Sequence, residues 1–208
     1  MKLTDKPVTE FLDALASKNP TPGGGGGAAL AGALGAALAS MVCNLTLGKE
    51  KYAAVQSDME TMVAKTEALR LKLTDLVNAD EAAYGVLAAA YKLPKEADEQ
   101  KKARTAAIQK ALINATDTPM QIAVACVEVL KLCSPIADKG NLSAVSDAGV
   151  GALLAEAGLR SAALNVYINL GAIKDAAFVA KSRQELDALL KGKGELKEQV
   201  FQDVVAKL

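Results

Sequence analysis

The string PTPGGGGGAAL at positions 20–30 is the first place where residue types and spacing point to chemistry. A glycine-rich turn feeding a helix start leaves backbone N–H groups free to hold a phosphate, a carboxylate or a polarised carbonyl. No Lys-Ser or Lys-Thr follows the glycines, so this is not a Walker loop, and no strand precedes it, so the dinucleotide fingerprint fails too. A merely flexible loop is the alternative. Five glycines cost folding entropy, however, and these lie beside Pro20 and Pro22, which favours ligand contact by Gly23, Gly24, Gly25, Gly26 and Gly27.

Three further groups stand out. The run Gly48-Lys49-Glu50-Lys51-Tyr52 closes the uncharged stretch that the glycines open, although a charge cluster between helices is most often a solvated corner. Asp80 lies four residues before Tyr84 and shares its helix face; Tyr84 reads as a core residue. Asp80 is then either a surface neighbour of that stripe or a carboxylate of raised pKa suited to proton transfer. Finally, Asp147 follows the string NLSAVS, where a helix cap or first-turn acid is the commoner role, and Asn165 and Asn169 lie four apart on an otherwise apolar face. If buried, those two carboxamides need hydrogen-bond partners, from a polar ring ligand or from a neighbouring helix.

Composition narrows the chemistry. The 208 residues include no histidine, which removes the Ser-His-Asp and Cys-His arrangements and the commonest zinc ligand together. Carboxylates, lysines, amides, hydroxyls and backbone groups are left. With 24 basic and 24 acidic side chains there is no net field to gather phosphates, and no local basic stripe compensates, so a nucleic-acid partner is not expected. Cys43, Cys126 and Cys133 are odd in number, have no CxxC spacing and lie in apolar surroundings; they read as buried reduced thiols. The start, MKLTDKPVTEFLDAL, carries charges where a signal peptide would need an apolar segment, so a cytoplasmic location is expected.

The elements that must position these groups are helical throughout, because helix formers dominate and no alternating strand pattern is bounded by turn residues. A short helix capped by Thr4 or Asp5 runs to about position 17. A small-residue helix covers 28–47, with Ala28, Gly32, Gly35, Ala36 and Ala39 at spacings of three and four that let backbones approach closely. A long amphipathic helix follows over 51–91 and stops before Pro94. A further helix reaches about 115, another starts near Pro119 and runs to about 138, and a second nearly uncharged helix occupies 142–173. Two short helices finish the chain. The expectation is an all-α, single-domain bundle over 1–208, of about seven or eight helices around a long central one. The uncharged stretch 20–48 is long enough to cross a bilayer, but alanine and glycine are weakly apolar, and packing inside the bundle fits them better than a membrane. Exposed small-residue faces often become seams between helices, so a homodimer fits.

The strings PTPGGGGGAALAGALGAALASMVCNLTLGKEKY, YKLPK and KGNLSAVSDAGVGALLAEAGLRSAALNVYINL, in this order and spacing, resemble the formiminotransferase-cyclodeaminase carboxy-terminal family over nearly the whole chain. The resemblance implies a homodimeric, cytoplasmic, all-helical enzyme acting on a tetrahydrofolate one-carbon derivative with no metal or redox cofactor. Within the family, cyclodeaminases close 5-formimino-tetrahydrofolate to the 5,10-methenyl form with loss of ammonia, and cyclohydrolases hydrate the methenyl bridge to 10-formyl-tetrahydrofolate. Cyclodeaminase loops resemble PGGGS; Gly26 stands here where that serine would fall, which shifts the expectation to the cyclohydrolase. A non-enzymatic interaction or membrane-inserting role is a third reading, raised by the 20–48 stretch.

By the same resemblance Asp80, at the head of the DxxAY segment, is the acid–base group, with Asp147 as the second choice. Lys51 orients water or stabilises the transition state. The five glycines let backbone approach the ligand, Asn44, Asn165 and Asn169 hydrogen-bond it, and Lys49 meets the glutamate tail.

Overall fold

The computed structural model describes residues 2–208. Among these, seven α-helices carry the chain: α1 (Val8–Leu15), α2 (Gly24–Asn44), α3 (Gln56–Tyr91), α4 (Asp98–Lys139), α5 (Val145–Leu170), α6 (Ala176–Leu190) and α7 (Lys193–Val205). Short 3₁₀ turns at Leu3–Asp5, Glu50–Val55 and Leu142–Ala144 precede α1, α3 and α5, and no strand occurs among the described residues. The fold is all-helical.

At the centre lies α2, packed between α3, α4 and α5. Its close antiparallel contact with α5 depends on missing side chains. A Cβ built on Gly35 would lie 2.7 Å from the Gly151 carbonyl oxygen, and one on Gly158 would lie 3.0 Å from that of Ala28. Small residues thus set the helix separation, and the larger Leu73, Ile122, Leu130, Ile136 and Leu159 fill one continuous apolar core around the seam. By length and composition α2, α4 and residues 142–170 could each cross a membrane, but 61% of the most apolar window of α2 is already buried against protein.

Several boundaries differ from the sequence expectation, each for a local reason. Helix α2 begins inside the glycine run: Gly23 is the extended N-cap and the next four glycines form the first turn, where the free N–H groups face a carboxylate described below. It ends at Asn44, and Gly48, with φ +73°, turns the chain in the left-handed region. The first helix is shorter than expected, and Thr4 and Asp5 belong to the 3₁₀ turn before it.

The expected break near position 116 is absent, because α4 runs unbroken for 42 residues with Pro119 and Pro135 in its interior. Pro119 has no N–H to give the carbonyl four residues earlier, that of Ala115. Asn169 on α5 supplies the missing donor: its Nδ2 lies 3.0 Å from the Ala115 oxygen. A tertiary hydrogen bond therefore replaces the helical one, and the helix continues.

The three cysteines are free and buried. Burial pushes Cys43 up to about 11 and both Cys126 and Cys133 up to about 12. They behave as small apolar core residues.

Candidate active site

A cleft of about 410 Å³ opens where the N-terminus of α2 meets α3, α4 and α5. Each wall follows helical spacing. From α3 come Asp80, Tyr84, Leu87 and Tyr91, at i, i+4, i+7 and i+11; from α5 come Asn165, Ile168 and Asn169; from α4 come Leu112, Ala115 and Pro119. Gly23, Gly24 and Gly25 form the end wall with Pro20 and Thr21.

Asp80 is held where the glycines permit. A Cβ at position 25 would lie 2.5 Å from Cγ of Asp80 and 2.7 Å from Oδ2, so no residue but glycine fits there without displacing the carboxylate. The Gly26 backbone N–H donates to that carboxylate, which thereby satisfies one of the free donors at the start of α2. Burial raises the Asp80 pKa above its ordinary 3.8, and the Gly26 hydrogen bond opposes the rise in part. A half-buried carboxylate with one directed donor and an open side toward a cleft can take a proton from water and return it.

Asn165 lies across the end wall, where its Nδ2 would be 3.5 Å from a Cβ on Gly24. That Nδ2 also donates to the Ser161 carbonyl at 2.8 Å. Asn169 spends its own Nδ2 on Ala115, as described above, so the fold claims that donor before any ligand does. Tyr84 corrects the expectation of a core residue: it is 41% exposed, because this face of α3 looks into the groove rather than into the core.

The remaining expected site residues lie elsewhere in the chain. Asn44, Lys49 and Lys51 are at the opposite end of α2, about 30 Å from the glycines at ~1.5 Å rise per residue over its 21 residues. All three are exposed there. Lys51 sits with its Nζ 5.5 Å from the centre of the Tyr52 ring. Tyr52 itself is a structural corner, its hydroxyl accepting from the Leu142 N–H at 3.0 Å and donating to Asn141 Oδ1 at 3.4 Å. Asp147 is in the first turn of α5, at the same far end, roughly 27 Å of helix from Asn165. Within one chain, therefore, Asn44, Lys49, Lys51 and Asp147 do not join Asp80. Gly26 reaches Asp80 through its N–H, while Gly27 turns away from the cleft lining.

Sequence reasoning missed Tyr91, Leu112, Pro119 and Ile168 as cleft residues. The i, i+7 repeat of Tyr84 and Tyr91 was the available signal for one wall. Among the described residues no group of three or more Cys, Asp or Glu side chains is placed to hold a metal ion.

The chain is thus an all-helical bundle with a half-buried carboxylate at the head of a polar-ended, apolar-walled groove. The chain belongs to the formiminotransferase-cyclodeaminase family, whose model matches residues 7–188. It is 50% identical over 201 residues to the methenyltetrahydrofolate cyclohydrolase of Methylorubrum extorquens, with 97% of each chain covered. It is 36% identical to the formimidoyltransferase-cyclodeaminase of Rattus norvegicus, covering 90% of this chain and 35% of that longer protein. The fold matches the crystal structure of formiminotetrahydrofolate cyclodeaminase from Thermotoga maritima with a TM-score of 0.79 at 32% identity, over 98% of this chain and 96% of that one.

Proposed function

We propose that the protein is a methenyltetrahydrofolate cyclohydrolase, interconverting 5,10-methenyltetrahydrofolate plus water with 10-formyltetrahydrofolate. The observation that carries this is the Asp80 carboxylate, lodged against the glycine turn with a raised pKa at the head of the cleft. The cyclohydrolase relative supports it over nearly the full length.

The methenyl carbon is an electrophilic amidinium, so the reaction needs a base rather than further activation. Ionised Asp80 removes one proton from water as the oxygen bonds to that carbon, giving a neutral tetrahedral adduct. Protonated Asp80 then delivers its proton to N5 as the carbon–N5 bond breaks. The adduct's hydroxyl proton leaves to solvent and the formyl group remains on N10. One carboxylate serves both steps, and the balance is one proton released per turnover. Asn165 and the free N–H groups of Gly24 and Gly25 supply polar partners for the pterin.

The test is the methenyl chromophore. Its loss should be faster with protein than without, and no acceleration at any pH would remove this reading. The cyclodeaminase activity named for the Thermotoga relative is the second reading, distinguished by ammonia release from the formimino substrate.

The outer faces of α2 and α5 support a homodimer. Leu34, Met41, Val150, Leu153, Leu164 and Ile168 are exposed along them, with Ile168 at 75% also reaching the cleft. Exposed apolar side chains along two packed helices suit a second copy. A two-fold axis perpendicular to the antiparallel α2 and α5 would bring the far end of the partner's α2 toward the cleft mouth. In that arrangement Asn44, Lys49 and Lys51 serve the cleft across the interface. Nothing in the proposed chemistry calls for a prosthetic group, and the cytoplasm is the compartment this reading assigns.

A further inference from the structure

The cleft has direction. Along α3, Asp80, Tyr84, Leu87 and Tyr91 form one line, and from Asp80 to Tyr91 is roughly 16 Å at the helical rise of ~1.5 Å per residue. At the head are the glycine turn, Asp80 and Asn165. Along the middle run the rings of Tyr84 and Tyr91 and the apolar side chains of Leu87, Leu112 and Ile168.

Beside Tyr91, just beyond the side chains that line the cleft, stands Arg104 of α4. Its guanidinium carbon is 6.0 Å from the centre of the Tyr91 ring, and its Nη2 and Nε donate to the Tyr91 carbonyl at 3.0 and 3.3 Å. No carboxylate pairs with Arg104 among the described residues. Two of its five N–H groups are thus used to hold the guanidinium over the tyrosine, and the outer edge is left for a ligand. On the other lip, Gln109 Nε2 donates to the Ala172 carbonyl at 3.0 Å and its Oε1 accepts from the Lys174 N–H at 2.7 Å. Lys174, whose backbone is held there, has no ion pair among the described residues. The groove is therefore polar at its head and aromatic along its length, with the Arg104 guanidinium just beyond its last tyrosine.

We infer that Arg104 is a specificity-determining residue that binds the carboxylate tail of the ligand at the foot of the cleft, with Tyr84 and Tyr91 packing against the ring that joins tail to head. This rests on the folate reading. In a tetrahydrofolate the reacting carbon lies between the pterin and the benzoyl ring. Placing that carbon at Asp80 puts the pterin against the glycines and sends the benzoyl ring and glutamate down the line of tyrosines to Arg104. The tail site thus lies on the same chain as Asp80.

Binding tests this without turnover. The dissociation constant of 5-formyltetrahydrofolate is compared with that of the glutamate-free 5-formyltetrahydropteroate, for wild type, Arg104→Gln and Lys101→Ala. Wild type should prefer the glutamyl form by about tenfold or more, the range of a charge-assisted hydrogen bond. Arg104→Gln keeps a donor for the Tyr91 carbonyl but loses the charge; it should erase the preference while leaving pteroate binding near wild type. Lys101→Ala, which removes an exposed cation paired with Asp98, should keep the full preference. Equal binding of both forms by wild type, or an Arg104→Gln loss that falls equally on both, overturns the inference. Failure of the function reading is seen separately, as a wild-type protein that binds the glutamyl form selectively yet does not speed loss of the methenyl chromophore.

Discussion

Gly25 and Asp80 occupy one space: a Cβ on the glycine would lie 2.7 Å from Oδ2 of the aspartate and nearer still to Oδ1. Neighbouring Gly27 has nothing within 4 Å of its virtual Cβ. The two positions should therefore respond oppositely to alanine. Gly25→Ala must move either the carboxylate or the start of α2, and should cost about 1–3 kcal/mol of stability by overpacking. It should also cut kcat/KM by roughly a hundredfold, the scale of losing a positioned acid–base group. Gly27→Ala should raise stability by up to about 1 kcal/mol through helix propensity. Thermal melts and steady-state rates on the two variants check the pair.

Asp80→Asn should lower kcat by about 10²–10⁴-fold, the usual contribution of a general acid–base group. Stability should move the other way. Because the folded-state pKa is raised, Asp80 favours folding fully below the ordinary carboxylate pKa, and that contribution is lost as pH rises through the raised value. At neutral pH the ionised, half-buried carboxylate is a cost that asparagine removes while still accepting from the Gly26 N–H. The variant should melt at or above the wild-type temperature at pH 7, and its advantage should disappear in acid. In wild type, the acid limb of the rate profile should have its midpoint above 3.8. A dead variant that also melts well below wild type at pH 7 would make Asp80 chiefly a cap for α2.

The helical class and the head of the cleft were legible in the sequence, because both follow from local rules. Small residues at spacings of three and four implied close helices, and a glycine turn implied free N–H groups. The long span of α4 was not legible, since Pro119 normally ends a helix and its rescue depends on Asn169, 50 positions later in the chain. Tyr84 departs from the core position its spacing implies for a related reason. Helical spacing puts it on one face with Asp80, but only the placement of α4 and α5 decides whether that face meets core or groove. Lys49 and Lys51 follow the helix that the glycines start, and proximity in sequence at its two ends becomes separation by the helix length.

Leu34 and Leu164, 50% and 70% exposed, mark the apolar outer faces of α2 and α5. If a second copy covers them, Leu34→Glu together with Leu164→Glu should convert a dimer into a folded monomer, because two buried charges without partners oppose association strongly. Sedimentation should show half the mass with unchanged helical circular dichroism. A wild-type protein that sediments as a monomer at every concentration would remove the dimer.

The three thiols should be silent in the native protein. With burial holding Cys43 near 11 and the other two near 12, thiolate is scarce at pH 8 and reagent access is blocked. A disulfide-exchange reagent should titrate none of them in buffer and all three in guanidinium, and rapid native labelling would contradict the packing of α2 against α4.

The bond between Asn169 and the Ala115 carbonyl separates a structural role from a ligand-binding one. Asn169→Ala alone should destabilise by about 1–3 kcal/mol, because the carbonyl that Pro119 leaves without a helical donor then has no partner. Pro119→Ala restores the N–H to the helix and makes the tertiary bond redundant. In the Pro119→Ala background, Asn169→Ala should therefore cost much less, and the cycle should show a coupling of roughly 1 kcal/mol or more. Activity supplies the second reading of the same four proteins. If Asn169 acts only by holding α4 to α5, KM should recover together with stability when Pro119→Ala is added. A KM that stays raised in the restabilised double variant would mean that the Asn169 carboxamide also touches the folate.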